Sequence, residues 1–256
     1  MELLEVISQY SDLILIGNSA EALRIDYGLI PEEALVVFFN RAHRILKRGP
    51  VDRDAMLVVR QMNPNKLLDG PKHLRWTCEK LPRLRAVTGL LAGPGGAQIS
   101  TNNGPHPLPH LIDYNAGARD FYPNGRSPTT GFAFLQWLLK NFPDKRVQLR
   151  AFTGVPDEQF SMNPSHDWIF EQASIRLLER AGRLRTQAGP QDAITEQLRR
   201  AFPTVDEDLI DSTVIQTIMD RSRGLERRLG RLWSISSPVR WFKAAFRPIR
   251  RLVNNG

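Results

Sequence analysis

The chain has 256 residues, 41% hydrophobic and 24% charged, enough apolar material for a packed core and too much for a disordered chain. Its longest apolar runs, Leu13–Ile16 and Leu35–Phe39, fall far short of the roughly 20 residues of a membrane span. Of the net charge of +8, the last 36 residues carry +9, because Glu226 alone opposes ten Arg and Lys between Arg221 and Gly256. Residues 1–220 therefore carry a net −1, and the basicity belongs to the C-terminus.

Met1–Tyr10 has neither a positive n-region nor an apolar h-region, so no secretory leader is expected and a cytoplasmic setting fits. The lone Cys78 cannot form an internal disulfide or build a thiolate metal site, and reads as a small buried or half-buried thiol. Five short apolar runs read as strands: 12–16, ending in Gly17-Asn18-Ser19; 35–39, ending in Asn40; 56–59; 86–91; and 147–152. Mixed or helical segments separate them, which predicts an α/β fold: a mostly parallel sheet covered on both faces. His43 and His73, in mixed charged segments, read as surface residues.

Gly93–Gly131 holds seven glycines and six prolines in 39 residues, a density that predicts a long loop without regular elements. His106 and His110 lie in it, but only Asp113 is near enough in sequence to complete a ligand set, so no metal is expected. Phe132, Leu135, Leu138, Leu139 and Phe142 recur at helical spacing and predict a helix over 131–142, started by Thr129 or Thr130. A second helix is predicted over 167–181, and 190–233 reads as wholly helical. His166 follows Asn163-Pro164-Ser165 at the head of the 167–181 helix. There the helix dipole favours a neutral imidazole, as a general base requires; a capping or solvated histidine fits the same position.

The basic tail contains two amphipathic pieces. Leu225, Leu229, Leu232 and Trp233 form one helical stripe; after Ser237-Pro238, residues Phe242, Ala245, Phe246 and Ile249 form another, flanked by Lys243, Arg247, Arg250 and Arg251. Aromatics grouped with aliphatics beside Lys and Arg suit an anionic membrane surface, with residues 225–252 as a peripheral anchor. Packing of the first stripe on the body is the other reading. Nucleic acid is not expected, since the aromatics are not interleaved as stacking platforms and the body lacks a basic groove.

Ligands of open α/β sheets lie beyond the carboxyl ends of strands, near helix N-termini. That rule selects Gly17-Asn18-Ser19, Asn40 and Thr129-Thr130-Gly131, small and uncharged groups suited to a nucleotide. Taken singly, Asn18 also fits a plain turn and Thr130 a plain helix cap. Neither G-x-G-x-x-G nor G-x-x-x-x-G-K-[ST] occurs, so a dinucleotide or P-loop site has no support.

The order of these pieces resembles the eukaryotic-type sialyltransferase family, glycosyltransferase family 29, in a bacterial-type form. Leu13–Ser19 with Val36–Asn40 matches the family's long motif, Pro128-Thr129-Thr130-Gly131 its short motif, and His166-Asp167-Trp168-Ile169-Phe170-Glu171 its H-x-x-x-x-E. The resemblance spans about residues 11–175. It implies a Rossmann-like domain, here 1–190, followed by a helical basic extension, 191–256. It further implies inverting, metal-independent transfer from a CMP-activated sugar, without a cofactor, to a glycan or glycolipid acceptor. By position, Gly17, Asn18, Ser19 and Asn40 would meet nucleotide and phosphate, and Thr129, Thr130 and Gly131 the cytidine end. His166 would deprotonate the acceptor hydroxyl, and Glu171, about 140° further round a helix, would be a structural partner.

The chain departs from the family in three ways. No histidine occurs from Gly131 to Ser165, where the family carries a second one; the phosphate contact would then come from His106 or His110, or be lost. The family's bridging cysteine pair and N-terminal anchor are absent, which suits a cytoplasmic enzyme peripheral to the inner face of a membrane. Arg126 is a candidate partner for a donor carboxylate, in sialic acid or Kdo alike. Two other readings of the residues stay open: a non-catalytic CMP-binding protein, or a peripheral membrane adaptor.

Overall fold

The computed structural model describes residues 3–63, 66–67, 71–93, 108, 110–154, 165–186, 198–216 and 218–219. Two compact units divide the chain, Met1–Gln187 and Ala188–Gly256. The first is a Rossmann-like α/β unit. Its strands are β1 (Asp12–Ile16), β2 (Leu35–Phe39), β3 (Ala55–Asn63), β4 (Lys66–Leu67), β5 (Leu84–Leu91), β6 (His110–Asp113), β7 (Arg146–Arg150) and β8 (Arg185–Thr186). Its helices are α1 (Leu3–Ser8), α2 (Pro71–Glu79), α3 (Asn115–Phe121), α4 (Thr130–Asn141) and α5 (Trp168–Arg180), with 3₁₀ turns making the β1–β2 and β2–β3 connections.

Seven strands pair in parallel in the order β6-β5-β3-β2-β1-β7-β8, and β4 adds antiparallel to β3. Both faces are covered, and strict alternation divides the side chains between two cores. Leu13, Leu15, Leu35, Val37, Phe39, Met56 and Val58 pack with α1 and α4. Ile14, Ile16, Val36, Phe38, Leu57 and Val59 pack on the other face with Ala42, Ile45, Leu46 and Leu74. Both sets are fully buried, which is why these strands read as continuous apolar runs.

From β1 the chain winds outward through β2, β3, β5 and β6, then returns through α4 to β7 on the other side of β1. The strand order therefore switches between β1 and β7, and their carboxyl ends flank the crevice where such sheets bind ligands. Gly17 ends β1 there, its N–H donating to the Arg150 carbonyl at 2.8 Å. A Cβ on Gly17 would stand 2.3 Å from the Ala151 carbonyl oxygen and 2.8 Å from its carbon. Those are backbone atoms of the neighbouring strand's exit, so nothing flexible can yield. Gly17→Ala is expected to lower stability by about 1–3 kcal/mol or more, as overpacking does, read as a lower urea midpoint at unchanged m-value.

Several sequence expectations are corrected here. Residues 110–121 of the predicted loop form β6 and α3, separated by Tyr114, while 94–107 and 109 lie outside the described residues. β7 stops at Arg150, because Ala151 turns out of the sheet with φ of 59°. The 190–233 stretch is not one helix: residues 198–201 and 207–216 are helical, and 202–206 interrupt them. Pro203 has no N–H to continue the first piece, and Asp206 starts the second, its Oδ1 accepting from the N–H groups of Asp208 (2.9 Å) and Leu209 (3.2 Å). The amphipathic tail, 225–252, lies outside the described residues. Cys78 is a free, half-buried thiol whose pKa burial raises. His43 is half-buried and stacks its ring on exposed His73, centroids 4.1 Å apart. Among the described residues no helix is long and apolar enough to cross a membrane.

Candidate functional site

The carboxyl edge of the sheet brings six of the predicted site residues, Asn18, Asn40, Arg126, Thr129, His166 and Glu171, into hydrogen-bonded clusters. Asn18 donates through Nδ2 to the Asn40 carbonyl at 2.5 Å, joining the exits of β1 and β2. Asn40 Oδ1 accepts from the Arg60 N–H at 2.9 Å, joining β2 to β3. Asn18 Oδ1 and Ser19 Oγ are buried without a hydrogen-bond partner among the described residues, and Ser19 as a whole is only 6% exposed. A buried polar atom without a partner costs about 1–3 kcal/mol.

On the other side of the crevice, α4 is capped by Thr129, whose Oγ1 accepts from Phe132 N–H at 3.2 Å; Thr130 is its first helical residue and is buried. Thr129 also donates twice to Glu171, from N to Oε1 and from Oγ1 to Oε2, each at 2.7 Å. Tyr122 donates to Glu171 Oε1 at 2.8 Å and accepts from Asp167 N–H at 2.6 Å. Each hydroxyl proton is thus spent once, and Glu171, 3% exposed on α5, acts purely as an acceptor. Burial raises its pKa, while the bonds from Thr129 and Tyr122 and the charge of Arg60 pull the other way. Gly131 serves packing: a Cβ there would meet the Phe152 ring at 2.8 Å.

His166 sits two residues before α5, whose N-cap is Asp167. Its Nδ1 lies 2.6 Å from the Ser127 carbonyl oxygen, which can only accept, so Nδ1 carries the proton and Nε2 keeps its lone pair. Ser127 N–H donates back to the Ser165 carbonyl at 3.1 Å, closing the strap around the histidine. The His166 pKa is held below 6.5, by burial first, with the Arg60 charge adding to it and the Ser127 bond opposing. Burial, which the sequence did not show, is the first cause of that lowering. Arg126 is exposed beside it, donating to the His166 carbonyl at 3.4 Å with Nη1 3.8 Å from Asp167 Oδ2.

Two groups escaped the sequence reading. Tyr122 bridges Glu171 and the start of α5, and Arg60, buried within β3, joins the two halves of the site. Arg60 is 9% exposed; it donates to the Pro128 carbonyl at 3.1 Å and, more closely, to the Ala92 carbonyl. Desolvation lowers its pKa to about 10, so it stays charged at neutral pH. The one available signal was a cation directly following the apolar run 56–59.

His110 does not join the site. It opens edge strand β6, with β5, β3 and β2 between it and β1, about 19 Å at ordinary strand spacing. His106 lies outside the described residues. No family model, no curated protein and no solved structure matches the chain.

Proposed function

We propose that the chain is an inverting glycosyltransferase that takes a CMP-activated ulosonic acid, sialic acid or Kdo, and transfers it without a metal to a hydroxyl of a glycan or glycolipid. The observation that supports this reading most is His166 with its Nδ1–H held by Ser127, next to the Thr129–Gly131 turn at the sheet's carboxyl edge. An imidazole so held presents a basic nitrogen of one defined tautomer.

In this mechanism the acceptor O–H gives its proton to His166 Nε2 as its oxygen attacks the anomeric carbon of the donor. The bond from that carbon to the phosphate oxygen breaks with its electron pair, and CMP leaves as a phosphate monoester that needs no proton. Attack from the face opposite the leaving group inverts the anomeric centre. The base and the positioning of both substrates carry the rate. Asn18, Ser19 and Asn40 would hold the nucleotide, Thr130 the cytidine end, and Arg126 the donor carboxylate beside the base. Residues 225–252 would bring the enzyme to an anionic leaflet, where a lipid-linked acceptor is at hand.

A second reading, a CMP-binding protein without turnover, is favoured by one observation. The family's second histidine is absent, and of the two histidines that could replace it His110 stands strands away from β1 while His106 lies outside the described residues. Both readings predict CMP binding. Titration of the purified chain with CMP and UMP in EDTA should show CMP preferred by about tenfold or more, as a site that hydrogen-bonds the base edge requires. Release of CMP from a CMP-sugar in the presence of acceptor separates the two readings. No CMP binding at millimolar concentration would sink both.

A further inference from the structure

We propose that Arg60 is the positioning residue of this site: from its buried place within β3 its guanidinium clamps the carbonyls of Pro128 and Ala92, fixing the strap that holds His166 relative to the Asn18–Asn40 turn. The inference deepens the reading of His166 as the base.

Three chain segments converge on this one residue. Its backbone N–H is taken by Asn40 Oδ1 at the end of β2, and its side chain reaches Ala92 after β5 and Pro128 ahead of α4. Pro128 stands between two supports of the base. On one side Ser127 accepts the His166 Nδ1 proton, and on the other Thr129 hangs on Glu171, five residues after His166 in the same chain segment. A shift of Pro128 would therefore move both. The planar fork reaches the two carbonyls from two separate nitrogens, Nη1 and Nη2, a spacing that the single nitrogen of a lysine ammonium cannot reproduce. The cation is buried with the Glu171 carboxylate in range, so its charge is balanced inside the protein. That charge also acts on His166. Among the described residues the other charged groups around the imidazole are Arg126 ahead of it, Asp167 at the N-cap of α5 and Glu171 on that helix, and replacing Arg60 leaves all three in place.

NMR titration of the His166 imidazole in the unliganded chain, assigned with His166→Gln, tests this directly. Arg60→Met should move the His166 pKa upward from its wild-type value. Arg60→Lys, which keeps the charge and loses the fork, should loosen the Ser127 bond to Nδ1, read as loss of the single Nδ1–H tautomer in the imidazole nitrogen shifts, and weaken CMP binding about tenfold. Should Arg60→Met fail to fold, Arg60→Met with Glu171→Gln removes cation and carboxylate together, and is compared with Glu171→Gln alone. An unchanged His166 titration in Arg60→Met, or an Arg60→Lys chain that keeps the wild-type His166 tautomer, overturns the proposal. Since the titration needs no nucleotide, it decides this point even if the wild-type chain fails to bind CMP, a result that would count against the proposed function alone.

Discussion

Glu171→Ala is expected to destabilise the first unit by about 3–5 kcal/mol, the usual cost of removing one partner from a buried charged network. The substitution deletes a single carboxylate but strands four groups. The Thr129 N–H, the Thr129 hydroxyl and the Tyr122 hydroxyl lose their acceptor, and buried Arg60 loses its counter-charge. Glu171→Gln should cost less, about 1–3 kcal/mol, because an amide still accepts through one oxygen but turns an N–H₂ donor toward a donor. Urea denaturation of the three proteins at neutral pH would order them wild type, Gln, Ala. The carboxyl's pKa is raised by folding, so its contribution is fullest below the unfolded value of about 4.5 and declines as pH rises through the folded value. The gap between wild type and Glu171→Gln should accordingly widen as the pH is lowered toward that value. A Glu171→Ala chain as stable as wild type would mean that these bonds do not hold the site together.

The strands were legible because this sheet is covered on both sides, so buried strands appear as unbroken apolar runs with Gly or Asn at their ends. The same rule hid β6, where only Ile112 of four residues is buried, and β8, which has two residues and none buried. It also ended β3 early. A charge after Val59 looks like the end of a run, but β3 continues because the Arg60 guanidinium finds two carbonyls to satisfy it. Local signals marked Gly17, Asn18, Asn40, Thr129 and His166 one by one. What they could not show was which of them touch, since Asn18 meets Asn40 across 22 residues and Thr129 meets Glu171 across 42. Direction along a parallel strand mattered as well. Gly17 and Asn40 follow their strands and reach the carboxyl edge, whereas His110 begins its own and does not.

His166→Ala should lower transfer from a CMP-sugar by about 10²–10⁴-fold, the range a positioned base supplies, and leave CMP affinity within a few-fold of wild type. The separation of the two effects follows from where the residue stands. His166 is tied to Ser127 and precedes the cap of α5, while the turns expected to hold the nucleotide hang on Asn40, Thr129 and Glu171. Losing the imidazole removes one accepted bond at the Ser127 carbonyl and none of those. The pH dependence carries its own sign. A base must be neutral, and burial with the Arg60 charge holds this imidazole below 6.5, so the activity should be flat through neutrality and fall only as pH drops below that value. Stability should follow the same direction. A histidine whose pKa folding depresses contributes fully above the unfolded value and loses that contribution as pH falls through the folded one. In His166→Ala both acid limbs should weaken together. A variant that kept full transfer with the wild-type acid limb would assign the base to another residue, and one that lost CMP binding as well would make His166 a binding group.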